Sequence, residues 1–418
     1  MNIKVHRGAN QIGGCITEIS TEGCKIFIDF GSDLPDSQKK ELTKAQIENM
    51  TAGADAIFYT HYHADHVGLH TLVPDNIPQY IGAGAREVMK CKYAVLNQQA
   101  SSLLANKMLT YVAGRSIDVG GKGKMMATPY FVSHSAFDSY MLKICCDGKT
   151  ILHTGDFRGH GYLGKSLFDM LGKFVKQVDV LITEGTMLGR RSETVVREFD
   201  IQRNVIKLLR QHKYVFALCS STDMERLASL HAACKVTGRV FVVDPYQKSV
   251  LNIFTRYSGK YSGLFDFDNA FSLRDYSSKN VKAYLGRAGF LMVVRTSMHD
   301  LVKRMMNVYD EEAAWLVYSM WSGYAEKGKD YSLDGVAEMR SLFNGHIADG
   351  TKDGFHTSGH ADVDTLAKVC ATVNPRIGII PIHKDKETCL AGILDMNAYR
   401  VFQTGEYKIR DVDISVLQ

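Results

Sequence analysis

Thr60-His61-Tyr62-His63-Ala64-Asp65-His66 is the stretch on which the reading of this 418-residue chain turns. Three imidazoles and a carboxylate fall within six consecutive positions, in a chain that holds 15 histidines in all. Just upstream, Ala56-Ile57-Phe58-Tyr59-Thr60 is an apolar, β-rich run that predicts a buried strand. If strand geometry continues, His61 and His63 point the same way. Asp65 and His66 then lie in the turn beyond, facing the same cavity from another side. Neutral imidazole nitrogen and carboxylate oxygen are the donors that zinc and similar divalent ions accept. The competing reading is a polar loop rich in histidine, and the density of donors favours metal.

Outward from that stretch, the same device recurs: an apolar run that stops at a ligand-type side chain. Residues 130–135 form a run ending around His134. Residues 140–144 and 150–156 predict a hairpin about Asp147-Gly148, with Asp156 exposed past Gly155, where the backbone turns. Residues 178–183 are another strand, closed by Glu184. Towards the C-terminus, Ser358-Gly359-His360-Ala361 precedes a helix through Val373, and residues 377–382 form a buried strand that ends at His383. Taken singly, His134 or Asp156 is more often a hydrogen-bonded polar residue. Beside the first cluster they supply what a two-metal site still lacks, because four ligands from one turn cannot fill two coordination spheres.

Between these segments the pattern changes. Residues 192–211 have helical periodicity, with Val195, Val196, Phe199, Ile201, Val205, Leu208 and Leu209 on or near one face. Strands over 214–218, 239–243, 290–294 and 314–318, with a helix over 224–236, predict a small, mostly parallel sheet. Before the cluster, residues 1–30 predict short strands joined by tight turns, and 41–50 and 98–109 predict helices. Histidines close strands on both sides of the α/β block. One domain interrupted by another is the economical picture.

The length alone favours two domains. Apolar residues at 45% and charged residues at 23% match a soluble globular protein. No run is long enough for a membrane span and residues 1–6 do not begin a signal peptide, so a cytoplasmic protein is expected. Nine scattered cysteines without a Cys-x-x-Cys pair predict reduced thiols, most of them buried. The net charge of +5 permits a polyanionic substrate without demanding one.

The His-x-His-x-Asp-His stretch after a hydrophobic strand resembles the signature of the metallo-β-lactamase superfamily. With the later strand ends in place, nearly the whole chain resembles its β-CASP branch, which includes ribonuclease J and the pre-mRNA 3′-end cleavage endonuclease. That resemblance implies an αββα core over 1–190 and 351–418, interrupted by an α/β β-CASP domain over 191–350. It implies that His61, His63 and His134 bind one metal ion, that Asp65, His66 and His383 bind a second, and that Asp156 bridges them. Zinc is the expected metal, with manganese as the substitute. Glu184 fits the acidic first motif of the β-CASP region, Ser358 to Ala361 the second and Pro381-Ile382-His383 the third. Histidine at this last position is carried by RNA-acting members, whereas Artemis-like DNA nucleases carry valine.

The implied activity is phosphodiester hydrolysis of single-stranded RNA, with DNA a lesser expectation. Asp65 belongs to the catalytic set, and His360, oriented by Glu184, contacts the scissile phosphate or protonates the leaving oxygen. Hydrogen bonding to nearby backbone and helix capping are the structural alternatives for Glu184 and His360. A lactonase-like hydrolase of small esters, lactones or thioesters is the rival activity, opposed by the large insertion, which would leave an elongated groove suited to a strand. A non-catalytic RNA-binding subunit is opposed by the full set of seven ligands. Relative to ribonuclease J no extra C-terminal domain is expected, which leaves endo or exo mode and a homo-oligomer open. Ser220-Ser221-Thr222-Asp223 offers a phosphate cradle or a plain N-cap. Arg190 and Arg191 offer backbone contacts or a solvated surface, and Gly120 to Lys124 a basic loop or a hairpin tip. His153, His160 and His356 receive no role.

Overall fold

The structure, a computed structural model, describes residues 1–34, 41–121, 123–193, 195–259, 263–309, 313–326, 332–394, 398–402 and 406–408. Lys122 of the expected glycine-rich turn and Thr194 of the expected 192–211 helix lie outside the described residues. The chain gathers into two compact units. One comprises Met1–Gly159, Leu163–Glu193 and Gly359–Gln418, and the other His160–Tyr162 and Thr194–Ser358.

Two sheets build the first unit. One runs Glu406–Lys408, Asn2–Arg7, Ile16–Thr21, Cys24–Ile28, Ala56–Phe58, Gln79–Gly82, Leu109–Tyr111. The other runs Gly378–Ile382, Val180–Glu184, Lys149–His153, Ser139–Cys146, Met125–Val132, Ile117–Val119. Ile26, Ile28 and Phe58 of the first sheet share one buried cluster with Leu142, Ile144, Ile151, Ile182 and Ile380 of the second. Alternation along each strand sends Met141, Leu152, Leu181 and Ile379 to the opposite face, where they pack on Leu366, Val369 and Val373 of the helix Val363–Val373. Strands buried on both faces read as unbroken apolar runs, which is why residues 178–183 show no alternation. Each fully buried Leu or Ile contributes about 1.5–3 kcal/mol. On the first sheet, the helix Ala83–Val95 packs back on the strand that feeds it. The layered αββα arrangement expected from the sequence is the one that forms.

The second unit holds a six-stranded, wholly parallel sheet ordered Phe271–Ser272, Val240–Val243, Phe290–Val294, Tyr214–Cys219, Ala314–Ser319, Ile347–Asp349. Phe216, Leu218, Met292, Val294 and Leu316 share one of its apolar clusters with Val302, Met305 and Met306 of the helix His299–Tyr309.

Several boundaries differ from expectation, each for a local reason. The 192–211 helix begins only at Glu198, because Arg197 is extended (φ −76°, ψ 148°) as its N-cap. Phe199 is consequently half exposed, and Ile201, Val205, Leu208 and Leu209 make the buried face. The 98–109 helix stops at Lys107, since Leu109–Tyr111 pairs in parallel with Gln79–Gly82. The strand before the histidine cluster ends at Phe58, two residues early. Among the described residues no helix is long and apolar enough to cross a membrane.

Candidate metal centre

All the proposed ligands belong to the first unit, in the turns that follow strand ends or, for Asp65 and His66, in the short helix Ala64–Val67. Phe58 closes one strand, and after Thr60 the chain turns so that His63 (φ −64°, ψ 147°) caps the short helix Ala64–Val67. Strand alternation therefore does not place His61 and His63 together; the turn does, with ring centroids 4.7 Å apart. His134 follows Met125–Val132, and Asp156 follows Lys149–His153. Gly155 is needed between them, because its φ is +54° and a Cβ there would lie 2.7 Å from Thr60 Cβ. Glu184 ends its own strand, and His383 leaves Gly378–Ile382 in the left-handed region at φ 51°. That conformation costs of order 1–3 kcal/mol. It is held by the His383 backbone N–H, which donates to Gly8 O at 2.6 Å.

Asp156 is the hub. Its Oδ2 lies 3.1 Å from His66 Nε2, 3.7 Å from His383 Nε2, and 3.9 Å from both His61 Nε2 and His134 Nε2. On one side, His61, His63 and His134 bring ring nitrogens within 4.8 Å of one another. On the other, Asp65 Oδ2 lies 3.1 Å from His383 Nε2 and 3.9 Å from His66 Nε2. His360 stands beside the hub, its Nδ1 2.9 Å from Glu184 Oε2 and 3.7 Å from Asp156 Oδ2. Glu184 Oε1 accepts backbone N–H bonds from Phe157 at 3.1 Å and Ala361 at 3.3 Å. One side chain thus makes both the backbone hydrogen bonds of the structural alternative and a contact to His360.

Nδ1 of each of four imidazoles is engaged by a neighbour, which aims Nε2 inward. His66 Nδ1 donates to Asp29 Oδ2 at 2.8 Å, and His134 Nδ1 to Gly359 O at 2.7 Å. His383 Nδ1 donates to Thr186 Oγ1 at 2.7 Å, whose hydroxyl donates to His383 O at 3.2 Å. His61 Nδ1 lies 3.1 Å from Thr60 Oγ1. Partners of this kind fix ring orientation and tautomer at metal sites.

Protonation follows from burial and company. Burial, and then the neighbouring histidines, hold His61 and His134 well below the usual imidazole range, and burial lowers His63 to about 4. These three are therefore neutral, the state in which imidazole ligates. Burial works against ionisation of Asp65 and Asp156, but His66 and His383 around them keep both carboxylates below their ordinary values. Burial also opposes a charged His360; Glu184, then Asp156, overcome it and raise the imidazole to about 9.

His61 Nε2, His66 Nε2 and Asp156 Oδ1 are buried with no hydrogen-bond partner. An unsatisfied buried polar atom costs about 1–3 kcal/mol. Three of them meeting at one carboxylate is a donor set that divalent cations satisfy, so the residues fit the metals expected from the sequence.

Asp29 was not singled out in the sequence, although it ends the run 25–28. It is fully buried at φ 62°, and besides His66 it accepts the Thr60 N–H at 2.7 Å and the Thr60 hydroxyl at 2.9 Å. An acidic residue closing an apolar strand was the available signal. Asp29→Ala is expected to weaken metal binding about 10–100-fold, read by competition against a chelator with metal content measured in parallel. Unchanged affinity would mean that His66 is oriented without it.

The family model for the beta-lactamase superfamily domain matches residues 25–232. The chain belongs to the metallo-β-lactamase superfamily. Its members are typically metal-dependent hydrolases, in keeping with the buried His/Asp cluster. The matched span includes the ligand-type residues from His61 to Glu184, while His360 and His383 lie beyond it. The fold is also similar to the crystal structure of a protein of unknown function from Enterococcus faecalis V583. The TM-score is 0.69 at 16% identity, covering 97% of this chain and 99% of that one. At that identity the likeness concerns fold alone.

The remaining candidates do not join the centre. Asp223 Oδ1 accepts the Arg226 N–H at 3.2 Å, so the Ser220–Asp223 stretch caps the helix Met224–Thr237. Arg191 donates to Leu188 O, Cys389 O and Ala391 O, a structural clasp. Gly120, Gly121 and Gly123, all at positive φ, make the tip of a hairpin. His153 is fully buried, its Nδ1 accepting the Gly155 N–H at 3.1 Å. His160 Nε2 donates to Ser358 O at 2.8 Å, and His356 Nδ1 accepts from Arg226 at 3.4 Å.

Proposed function

We propose that this protein is a two-metal phosphodiester hydrolase of the β-CASP branch that cleaves single-stranded RNA. The observation that carries the reading is the Glu184–His360 pair, 2.9 Å apart, set beside the Asp156 hub. His61, His63 and His134 would hold one ion, Asp65, His66 and His383 the other, and Asp156 both. When bound, such ions supply a nucleophile at neutral pH and neutralise charge developing on the phosphate.

The chain's own part is preorganisation and proton handling. Asp29, Thr60, Gly359 and Thr186 hold the imidazoles in place, so little reorganisation is needed as charge develops. With Nδ1 of His360 engaged by Glu184, Nε2 is the atom that passes a proton to the departing ribose oxygen. A donor matters there because an alkoxide leaves poorly without one. Glu184, which accepts from Nδ1 at 2.9 Å, stabilises the protonated imidazole before transfer. The preference for RNA over DNA rests on the resemblance at His383.

The test is degradation of end-labelled single-stranded RNA by zinc- or manganese-loaded protein, beside a matched DNA and an Asp65→Ala, His66→Ala double variant. Metal-dependent cleavage of RNA, absent in the variant, is the expected result, and the product ladder distinguishes endo from exo attack. Protein that carries two ions and cuts neither polymer would overturn this reading and direct the search to small esters and lactones.

A further inference from the structure

Cys15 lies beside the second half of the centre. Its Sγ and a ring nitrogen each of His66 and His383 lie within 4.8 Å of one another. It is 1% exposed, in the loop between the strands Asn2–Arg7 and Ile16–Thr21. Two backbone bonds pin the loop to the ligand turn: Cys15 N–H donates to Asp65 O, and Gly31 N–H to Cys15 O, both at 3.0 Å. Gly8 closes the other side. A Cβ there would meet Cys15 Sγ at 3.0 Å, and the Gly8 carbonyl is the one that holds the His383 backbone. So the sulfur is packed against the same two segments that present Asp65 and His383.

A cysteine next to histidines is not in itself a site. The second observation is His66 Nε2, buried and making no well-formed hydrogen bond although Asp156 Oδ2 lies 3.1 Å away, while Nδ1 of the same ring is committed to Asp29. The Nδ1 of His383 is likewise committed, to Thr186. The Nε2 atoms on this side face the carboxylates, His383 Nε2 3.1 Å from Asp65 Oδ2 and His66 Nε2 3.1 Å from Asp156 Oδ2, the grouping that a cation would share.

We infer that Cys15 is a sulfur ligand of the second metal ion, joining Asp65, His66 and His383. The inference rests on the metal-centre reading above and is independent of the RNA assignment. Binding would replace the S–H bond with a metal–sulfur bond, the proton leaving to solvent. A soft thiolate in a site otherwise made of nitrogen and oxygen selects zinc, cobalt or cadmium over manganese and magnesium. The two halves of the centre would then differ in metal preference, the His61, His63, His134 half being free of sulfur.

Cobalt-loaded protein provides the test, because a thiolate ligand adds a near-ultraviolet charge-transfer band that nitrogen and oxygen ligands do not. The expected result is two cobalt ions per chain and a charge-transfer band that is lost in Cys15→Ser, with the ligand-field bands of the other ion retained. Two bound ions without the band in the native protein would overturn the role of Cys15 and leave the two-metal reading standing. A band that persists in Cys15→Ser places the sulfur on another cysteine and also overturns it. A native protein that binds no cobalt removes the metal centre itself. Should Cys15→Ser fail to fold, cadmium-113 resonance of the native protein decides: a sulfur-shifted signal supports the ligand, and a shift typical of nitrogen and oxygen alone rejects it.

Discussion

Asp156→Asn is expected to lower hydrolytic turnover by about 10²–10³-fold or more and to release bound metal. Among the described residues no other carboxylate lies within 4 Å of so many of the converging nitrogens: His61, His66, His134, His360 and His383 all approach its Oδ2. Asparagine keeps the shape and removes the charge that joins the two halves. Metal content by elemental analysis, alongside turnover, tells the cases apart. Loss of metal with loss of turnover identifies the bridging carboxylate. Full metal content with wild-type turnover would show that Asp156 only supports the histidines. The buried substitution also removes the anion that offsets His66, so a thermal melt of the metal-free variant belongs beside the assay.

His360→Ala tests the proton donor, and its signature is selective. Removing a general acid costs about 10²–10⁴-fold, but only where the leaving group needs protonation. RNA cleavage, which expels a ribose oxygen, is expected to fall by that amount in kcat, with bound metal unchanged. A nitrophenyl phosphodiester, whose leaving group departs unaided, is expected to lose little. Equal losses on both substrates would mean that His360 binds the phosphate instead. Glu184→Gln is the companion: it keeps an acceptor for the backbone N–H groups of Phe157 and Ala361 but withdraws the charge that raises the imidazole to about 9. The same selectivity, in weaker form, is expected.

The 61–66 stretch was legible because consecutive residues need no tertiary fold to be neighbours. Its strand was legible too, since Ile57 and Phe58 are buried whatever lies beyond them. Less legible were elements whose partners are distant. The strand Leu109–Tyr111 exists through pairing with Gln79–Gly82, so local periodicity carried the helix two residues too far. Val195 and Val196 fit a helical face, yet they precede the helix, which starts at Glu198 after an extended Arg197.

For the site, a strand-ending polar residue was a usable signal wherever the apolar run was long, as before Glu184 and His383. It is weaker for Asp29, which closes the short run 25–28, and absent for Cys15 and Thr186. Nothing in Gly14-Cys15-Ile16 or Gly185-Thr186-Met187 says that a thiol and a hydroxyl will stand beside His66 and His383. By itself the sequence determined the donor types, their spacing in the first cluster and the layered α/β class, because these depend on residue chemistry and local periodicity. Which donors converge, which nitrogen of each imidazole faces inward, and which histidines are held neutral or charged follow from how the distant segments pack. Those properties depend on distance and burial, and residues as far apart as Asp65 and His383 acquire them only when two sheets close on one another.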